Sequence, residues 1–313
     1  MRGSKPKNLY LHPGSLIDLQ KKIGRHSAYR FIAGGTDLMP NRYQGISEEP
    51  VLIDLSDLIE LKGIKQESDQ VTIGSMVSLH EIIENHMLQK DFSLLAKACL
   101  AVGSPLIRNS ATLGGNLLCE NRCLYFNQSA WWRDAIGSCL KDKGDRCIAT
   151  GSLKSCFSEF VSDTAPALIV LNAQVEIMDA TGKTRIIPVE ALYTGDGIQP
   201  RTLNPGDLLL RIILPKKVPA QSYFRKLRQR QSLDFTALTL AATLSHEGIL
   251  HLSASGLDPK PIVIKENLDH DIEKIEKAAL RQARAVDNDM LSRKYRRQML
   301  RVFIKDCFTQ FKI

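Results

Sequence analysis

Five of the seven cysteines, Cys119, Cys123, Cys139, Cys147 and Cys156, fall within 38 residues; only Cys99 and Cys307 lie elsewhere. In a reducing compartment clustered thiols serve as metal ligands or redox groups rather than as structural disulfides. The spacing C-x3-C-x15-C-x7-C-x8-C contains no C-x2-C pair, which disfavours a zinc ribbon. Iron–sulfur clusters accept looser spacing, and four thiolates satisfy a [4Fe–4S] centre. Soft-ligand chemistry is shared by both, so zinc stays open as the alternative. Tyr125, Phe126, Trp131 and Trp132 lie between the cysteines, where they would shield such a centre or form a small core in the same loop.

Two glycine pairs offer a second chemistry. Backbone N–H groups approach a phosphate closely only where Cβ atoms are absent, so paired glycines beside a Ser or Thr form anion-binding nests. Ala33-Gly34-Gly35-Thr36-Asp37-Leu38 has this form, and Ala111-Thr112-Leu113-Gly114-Gly115-Asn116 is a second such turn. The first lacks both the lysine of a P-loop and the G-x-G-x-x-G spacing of a Rossmann turn. Asp37 would repel a phosphate unless it caps the backbone or bonds a ribose or ribityl hydroxyl. Two turns, each with a threonine, suggest a diphosphate held between two loops.

These groups need a scaffold, and the composition supplies an ordinary globular one: 43% hydrophobic, 24% charged, 20 Gly and 13 Pro. Such proportions argue against disorder, collagen-like repeats and coiled coil. No apolar run of the roughly 7–15 residues of a signal peptide follows the basic start, and none reaches the roughly 18 of a membrane span, so a cytoplasmic protein is expected. The net charge is +8, and the surplus is concentrated late, with five basic residues between Arg293 and Arg301. That run reads as a solvated helix face rather than a nucleic-acid surface.

The periodicity predicts helices over Ser15–Ile23, Leu94–Val102, Ala237–Leu244, Asp271–Val286 and Ser292–Thr309. Ser78 with Glu81 reads as a capping box. Strands are predicted at Val51–Leu55, Val71–Gly74, Ala167–Leu171, Gln174–Met178, Arg185–Pro188, Ser222–Leu227 and Leu250–Ser255, with a short apolar run, Arg30–Ala33, entering the first glycine turn and a hairpin turn at Asp179–Gly182. The layout is α+β in three pieces: 1–58, 59–216 and 217–313.

The string Phe31–Leu38 together with Ile107–Asn116 resembles the FAD-binding subunits and domains of the molybdenum hydroxylase family, to which xanthine dehydrogenase and carbon monoxide dehydrogenase belong. Asp163-Thr164-Ala165-Pro166-Ala167-Leu168, Gly206–Leu210 before Pro215, and Phe224-Arg225-Lys226 extend the resemblance over nearly the whole chain. It implies a PCMH-type (vanillyl-alcohol-oxidase-like) FAD-binding fold of two subdomains, 1–58 and 59–216, and a C-terminal α/β domain like that of CO-dehydrogenase flavoproteins. Carried over by position, Phe31, Ile32, Ala33, Gly34, Gly35, Thr36, Asp37 and Leu38 would line the pyrophosphate and ribityl chain. Thr112, Leu113, Gly115 and Asn116 would complete the clamp, and Asp163 would accept hydrogen bonds from the cofactor. Leu209 and Lys226 would lie near the flavin ring, where an ammonium stabilises anionic reduced flavin; plain core packing is the alternative for Leu209.

The family passes from the second turn to the aspartate in a short loop, whereas residues 119–160 intervene here. Cys123-Leu124-Tyr125-Phe126-Asn127-Gln128-Ser129, the Trp-Arg pair at 132–133 and the later cysteines are similar to the β-subunit family of 4-hydroxybenzoyl-CoA reductases. That likeness implies a [4Fe–4S] loop with Cys123, Cys139, Cys147 and Cys156 as ligands, leaving Cys119 packed beside the flavin turn. It implies an electron-transfer subunit, not active alone, relaying electrons from a ferredoxin through the cluster and FAD. They would pass to [2Fe–2S] centres in a small subunit and to molybdenum in a large molybdopterin subunit, in a dimer of heterotrimers, for reductive dehydroxylation of an aromatic acyl-CoA. The alternatives are the FAD subunit of an oxidising molybdenum hydroxylase and a non-enzymatic zinc module.

Overall fold

A computed structural model of the chain describes residues 9–217, 219–230, 233–267 and 271–312; the basic residues 1–8 lie outside them. The first layer is a small parallel sheet. β1 (Leu9–Leu11), α1 (Leu16–Ile23), β2 (Tyr29–Ile32), α2 (Leu38–Tyr43) and β3 (Val51–Asp54) follow in turn, with strand order β1-β3-β2. Ser15 caps α1 by accepting from the Asp18 N–H, and the buried Leu19 and Ile23 pack on Val51 and Ile53. The chain leaves β2 directly into the first glycine turn and enters α2.

The next sheet is antiparallel. β4 (Ile64–Gln66) and β5 (Gln70–Gly74) lead into α3 (Leu79–Glu84), whose Ser78–Glu81 capping box is formed. α4 (His86–Asp91), α5 (Ser93–Leu100), α6 (Pro105–Ser110) and α7 (Leu113–Leu117) follow. The insertion then carries α8 (Ala130–Ile136) and returns to α9 (Thr164–Val170). β6 (Gln174–Met178), β7 (Thr184–Pro188) and β8 (Leu208–Pro215) complete the sheet in the order β4-β5-β8-β6-β7.

A four-stranded antiparallel meander closes the chain: β9 (Gln221–Leu227), β10 (Leu238–Leu244), β11 (Ile249–Ser255) and β12 (Ile262–Asn267), covered by α10 (Ile272–Gln282) and α11 (Arg293–Phe311). No helix among the described residues is long and apolar enough to cross a membrane.

Two segments differ in type from the sequence reading, and one glycine turn differs in form. Ala167–Leu171 reads as a strand but lies in and just after α9, every residue of which is buried, against α5, α7, β10 and β11. A short apolar run does not distinguish a buried strand from a buried helix. Ala237–Leu244 reads as a helix, yet β10 is the second strand of the meander, paired on both sides. Its alternation is present but disguised, because both faces are uncharged. Leu238, Leu240, Ala242 and Leu244 face the core under α11, while Thr239 and Thr243 bond Asp163 and the Val170 carbonyl on the other side. The second glycine turn is itself the opening of a helix, α7, capped by Thr112. The basic run is likewise not uniformly solvated: Arg296 is fully buried.

Candidate functional site

The two glycine segments meet. A Cβ added to Gly34 would stand 1.7 Å from the Ser110 carbonyl oxygen, so the first turn rests against the backbone at the end of α6 with no space for a side chain. Gly35 has φ +70°, the left-handed region that glycine occupies without strain. The backbone N–H groups of Gly34, Gly35, Thr36 and Asp37 find no acceptor among the described residues, which is the form of an anion nest. The second segment behaves differently. The N–H groups of Leu113, Gly114 and Gly115 are taken by Val77 O, Ser75 O and Thr112 Oγ1, and Gly115 presents an exposed surface. The first turn therefore supplies donors and the second a close wall, which fits a diphosphate approaching along one side.

A consequence is testable at Gly34. Gly34→Ala must drive the two segments apart, since both atoms nearest the new methyl are backbone. The expected result is a loss of about 1–3 kcal/mol in stability, typical of overpacking, with flavin lost on gel filtration. Urea unfolding and the flavin absorbance of the eluted protein measure both.

Several of the remaining residues singled out in the sequence are committed to partners within the chain. Asn116 Oδ1 accepts from Ser162 Oγ (2.8 Å) and Thr164 Oγ1 (2.7 Å), fixing the turn that carries Asp163. Asp163 is buried, receiving Thr239 Oγ1 at 2.6 Å and Lys226 Nζ at 2.6 Å. Lys226 also donates to Ala101 O and Asp234 O, so all three of its protons have acceptors and an ammonium donating to a flavin must give one up. Leu209 is buried in the core it shares with Leu113 and Leu117. Asp37 accepts from the Glu120 N–H at 2.9 Å and pairs with Arg122; it bonds the insertion. That partnership had no signal in the sequence, because the partner lies 85 residues away.

The insertion is pinched at its base. Arg122 and Glu159 exchange two backbone hydrogen bonds of 2.8 and 2.7 Å, so residues between them form a closed loop. Within it Cys123, Cys139, Cys147 and Cys156 line one cavity, together with Tyr125, Phe126 and Asn288. All four are reduced. Cys119 lies apart from that lining, with Asp37, Arg201 and Arg122 as its charged neighbours. Burial pushes the Cys123 thiol up to about 12, and neighbouring Cys156, Cys139 and Cys147 add to the rise. The backbone at Tyr125 lowers the Cys123 thiol, and that at Lys141 and Asp142 lowers Cys139, each against the rise from burial.

Among the described residues no group of three or more His, Cys, Asp or Glu is gathered closely enough for one metal ion. A tetrahedral zinc needs all four donors about 2.3 Å from a single point, whereas a four-iron cluster takes one thiolate on each iron and requires sulfurs distributed around a cavity. Four thiols lining one cavity match the number of donors that a four-iron cluster takes. The aromatic residues divide. Phe126 is buried and Tyr125 half-buried against the cavity, but Trp131 is 78% exposed, so it does not shield the cysteines; neither does Trp132 line them.

The loop is fastened from outside. Arg133, buried, donates to Asp142 Oδ2, Gln128 O, Gln44 O and Gly45 O, tying α8 to the end of α2. Asn288, between α10 and α11, accepts from Leu124 N and donates to Phe157 O, both at 2.9 Å. Gly197 has no space for a methyl, because Cys156 Sγ would lie 2.7 Å from it.

Known proteins share this architecture. Residues 4–217 match the family described as FAD binding domain in molybdopterin dehydrogenase. The aldehyde oxidoreductase FAD-binding subunit PaoB of Escherichia coli (strain K12) is 31% identical over 240 residues, covering 74% of this chain and 76% of its own. The carbon monoxide dehydrogenase medium chain of Afipia carboxidovorans is 25% identical over 249 residues, 79% of this chain and 72% of that one. Among solved structures, quinoline 2-oxidoreductase from Pseudomonas putida 86 superposes with a TM-score of 0.71 at 18% identity, covering 98% of this chain and 97% of that chain. Carbon monoxide dehydrogenase from Hydrogenophaga pseudoflava gives 0.73 at 18% identity, with 96% of each chain covered. These likenesses establish the fold expected from the paired turns. With its glycine clamp and with two thirds of its length matched, the chain belongs to the family of FAD-binding domains of molybdopterin dehydrogenases.

Proposed function

We propose that the chain is the FAD-carrying electron-transfer subunit of a molybdenum hydroxylase-type complex, and that its insertion adds a [4Fe–4S] cluster held by Cys123, Cys139, Cys147 and Cys156. The observation that carries the reading is the convergence of these four cysteines on one cavity in a loop bonded to the flavin turn through Asp37. When bound, FAD exchanges two electrons and a [4Fe–4S] centre one, so a chain holding both joins single-electron to two-electron chemistry. The chain's own residues do the positioning. The turn over residues 34–37 offers N–H groups to the diphosphate, Ser110 and Thr112 form its opposite wall, and Arg133 and Asn288 hold the cysteine loop. Large molybdopterin and small [2Fe–2S] subunits would complete the complex.

In the finer reading, electrons arrive from a ferredoxin and serve the reductive dehydroxylation of an aromatic acyl-CoA such as 4-hydroxybenzoyl-CoA; the insertion's likeness to the β subunits of those reductases supports it. The second reading, an oxidising complex sending electrons outward, is supported by relatives named as aldehyde oxidoreductase and carbon monoxide dehydrogenase subunits.

Anaerobic purification with iron, sulfide and flavin analysis tests the core of the proposal. About four iron and one FAD per chain are expected, the stoichiometry of a four-cysteine cluster, with an EPR signal in the reduced sample. A colourless protein containing zinc and no flavin would overturn it. Reduction of the bound flavin by reduced ferredoxin, compared with reduction by aldehyde or xanthine in the whole complex, separates the two directions.

A further inference from the structure

We propose that Arg122, brought to the flavin turn by the insertion, is the charge partner that makes Asp37 compatible with the FAD diphosphate, so that cluster assembly and FAD affinity are coupled. The inference rests on the reading above and extends it to the traffic between the two cofactor sites.

The argument begins with charge. Residues 31–38 contain one ionisable side chain, Asp37, and no lysine or arginine. A carboxylate beside four N–H groups that await an anion works against diphosphate binding. In the folded chain that carboxylate is neutralised from the insertion. Arg122 pairs with Asp37 Oδ1, and Glu120 N–H donates to Oδ2 at 2.9 Å. The guanidinium is held there by Asn41 Oδ1 on α2 and by the Phe235 ring, 4.3 Å from its centre. Its Nε is buried and has no hydrogen-bond partner among the described residues. Other nearby cations are engaged: Arg201 bonds Cys119 O and Asn121 Oδ1, and Lys226 bonds Asp163.

Arg122 is also next in sequence to Cys123, and its backbone closes the base of the loop on Glu159. Whatever orders the four cysteines therefore orders Arg122. With the loop in place, Asp37 meets the diphosphate as half of a neutral pair; with the loop loosened, it meets the diphosphate as an uncompensated anion. Coupling of this kind is reciprocal, since two ligands that favour the same arrangement strengthen each other equally.

The test compares the iron-loaded full chain, purified anaerobically, with the same chain stripped by a chelator under reducing conditions. FAD is removed from both and titrated back, with flavin fluorescence as the signal. Stripping should weaken FAD binding by about tenfold, within the usual range of coupling between sites. Iron-loaded Arg122→Gln should be equally weak while keeping its iron. Arg122→Lys should retain most of the affinity, and Asp37→Asn should bind FAD alike with or without iron. Iron content and thermal melting establish that each variant is folded. Equal FAD affinity in loaded and stripped wild type, or an iron-loaded Arg122→Gln that binds as tightly as wild type, overturns the coupling. A wild-type chain that takes up no iron overturns the cluster reading and the coupling with it. Arg122→Gln against wild type then still decides the charge partnership alone.

Discussion

Replacing Cys147 with serine in the full chain should reduce bound iron from about four per chain, the content of a four-cysteine cluster, to near zero. Cys119→Ser should leave it unchanged. Cys147 is buried in the cavity lining with three other cysteines, and a hydroxyl is a harder, poorer ligand for iron–sulfur centres than a thiolate. Cys119 instead faces Asp37 and Arg201, and its carbonyl accepts from Arg201. Iron and sulfide analysis, with EPR of the reduced protein, reads the result. Equal loss of iron in both variants would mean that Cys119 exchanges into the site, contrary to its position outside the cavity. The flavin turn should survive Cys147→Ser structurally, because the contact of Gly34 with Ser110 lies outside the insertion.

Arg296→Met should destabilise the chain by about 3–5 kcal/mol, the usual cost of leaving one member of a buried ion pair without its partner. Arg296 is wholly buried on α11, and its guanidinium contacts Glu159, Gly256 O and Val286 O. Glu159 closes the base of the cysteine loop, so this pair fastens the insertion to α11. Burial raises the Glu159 carboxyl to about 8 while the guanidinium pulls it down. Without Arg296 only the upward push remains. A carboxyl whose folded pKa lies above its unfolded value binds more protons in the native state, so its contribution is complete below the unfolded pKa and is lost as pH rises. Wild-type Glu159 follows the same course up to about 8, so the deficit of Arg296→Met should stay level below that and grow from pH 7.5 to pH 9.5, and Glu159→Gln on that background should remove the growth. Urea unfolding at the two pH values measures it; a pH-independent deficit would falsify the account.

Much of the site was legible before any fold was known, because the chemistry was local. Gly34 and Gly35 announce a tight turn within two residues, since a Cβ at Gly34 would meet the Ser110 carbonyl and Gly35 has φ +70°. Ser78 and Glu81 announce their helix because a capping box is complete within one turn. Where the reading went wrong, the deciding neighbour was distant. The run LTLAATL becomes a strand because β9 and β11 pair with it, and ALIVL belongs to a helix because α5, β10 and β11 enclose it. The partners of Asp37 were equally out of local reach: in the fold its carboxylate bonds the Glu120 N–H and Arg122. Trp131 reads as shielding the cysteines or joining a small core, and it stands exposed.

By itself, then, the sequence displayed the groups from which the proposed chemistry is built: a glycine turn, whose glycines are required by backbone geometry, and a set of thiols crowded into a short segment. The tertiary structure decided how they are joined. It directs Arg122 onto Asp37, gathers four cysteines while leaving the fifth outside, and saturates Lys226 with acceptors. It also buries Arg296, one cation from a run otherwise suited to solvent, against Glu159. The physical reason is that ligand type is a property of single residues and short spacings, whereas charge compensation and burial belong to groups brought together across tens of residues.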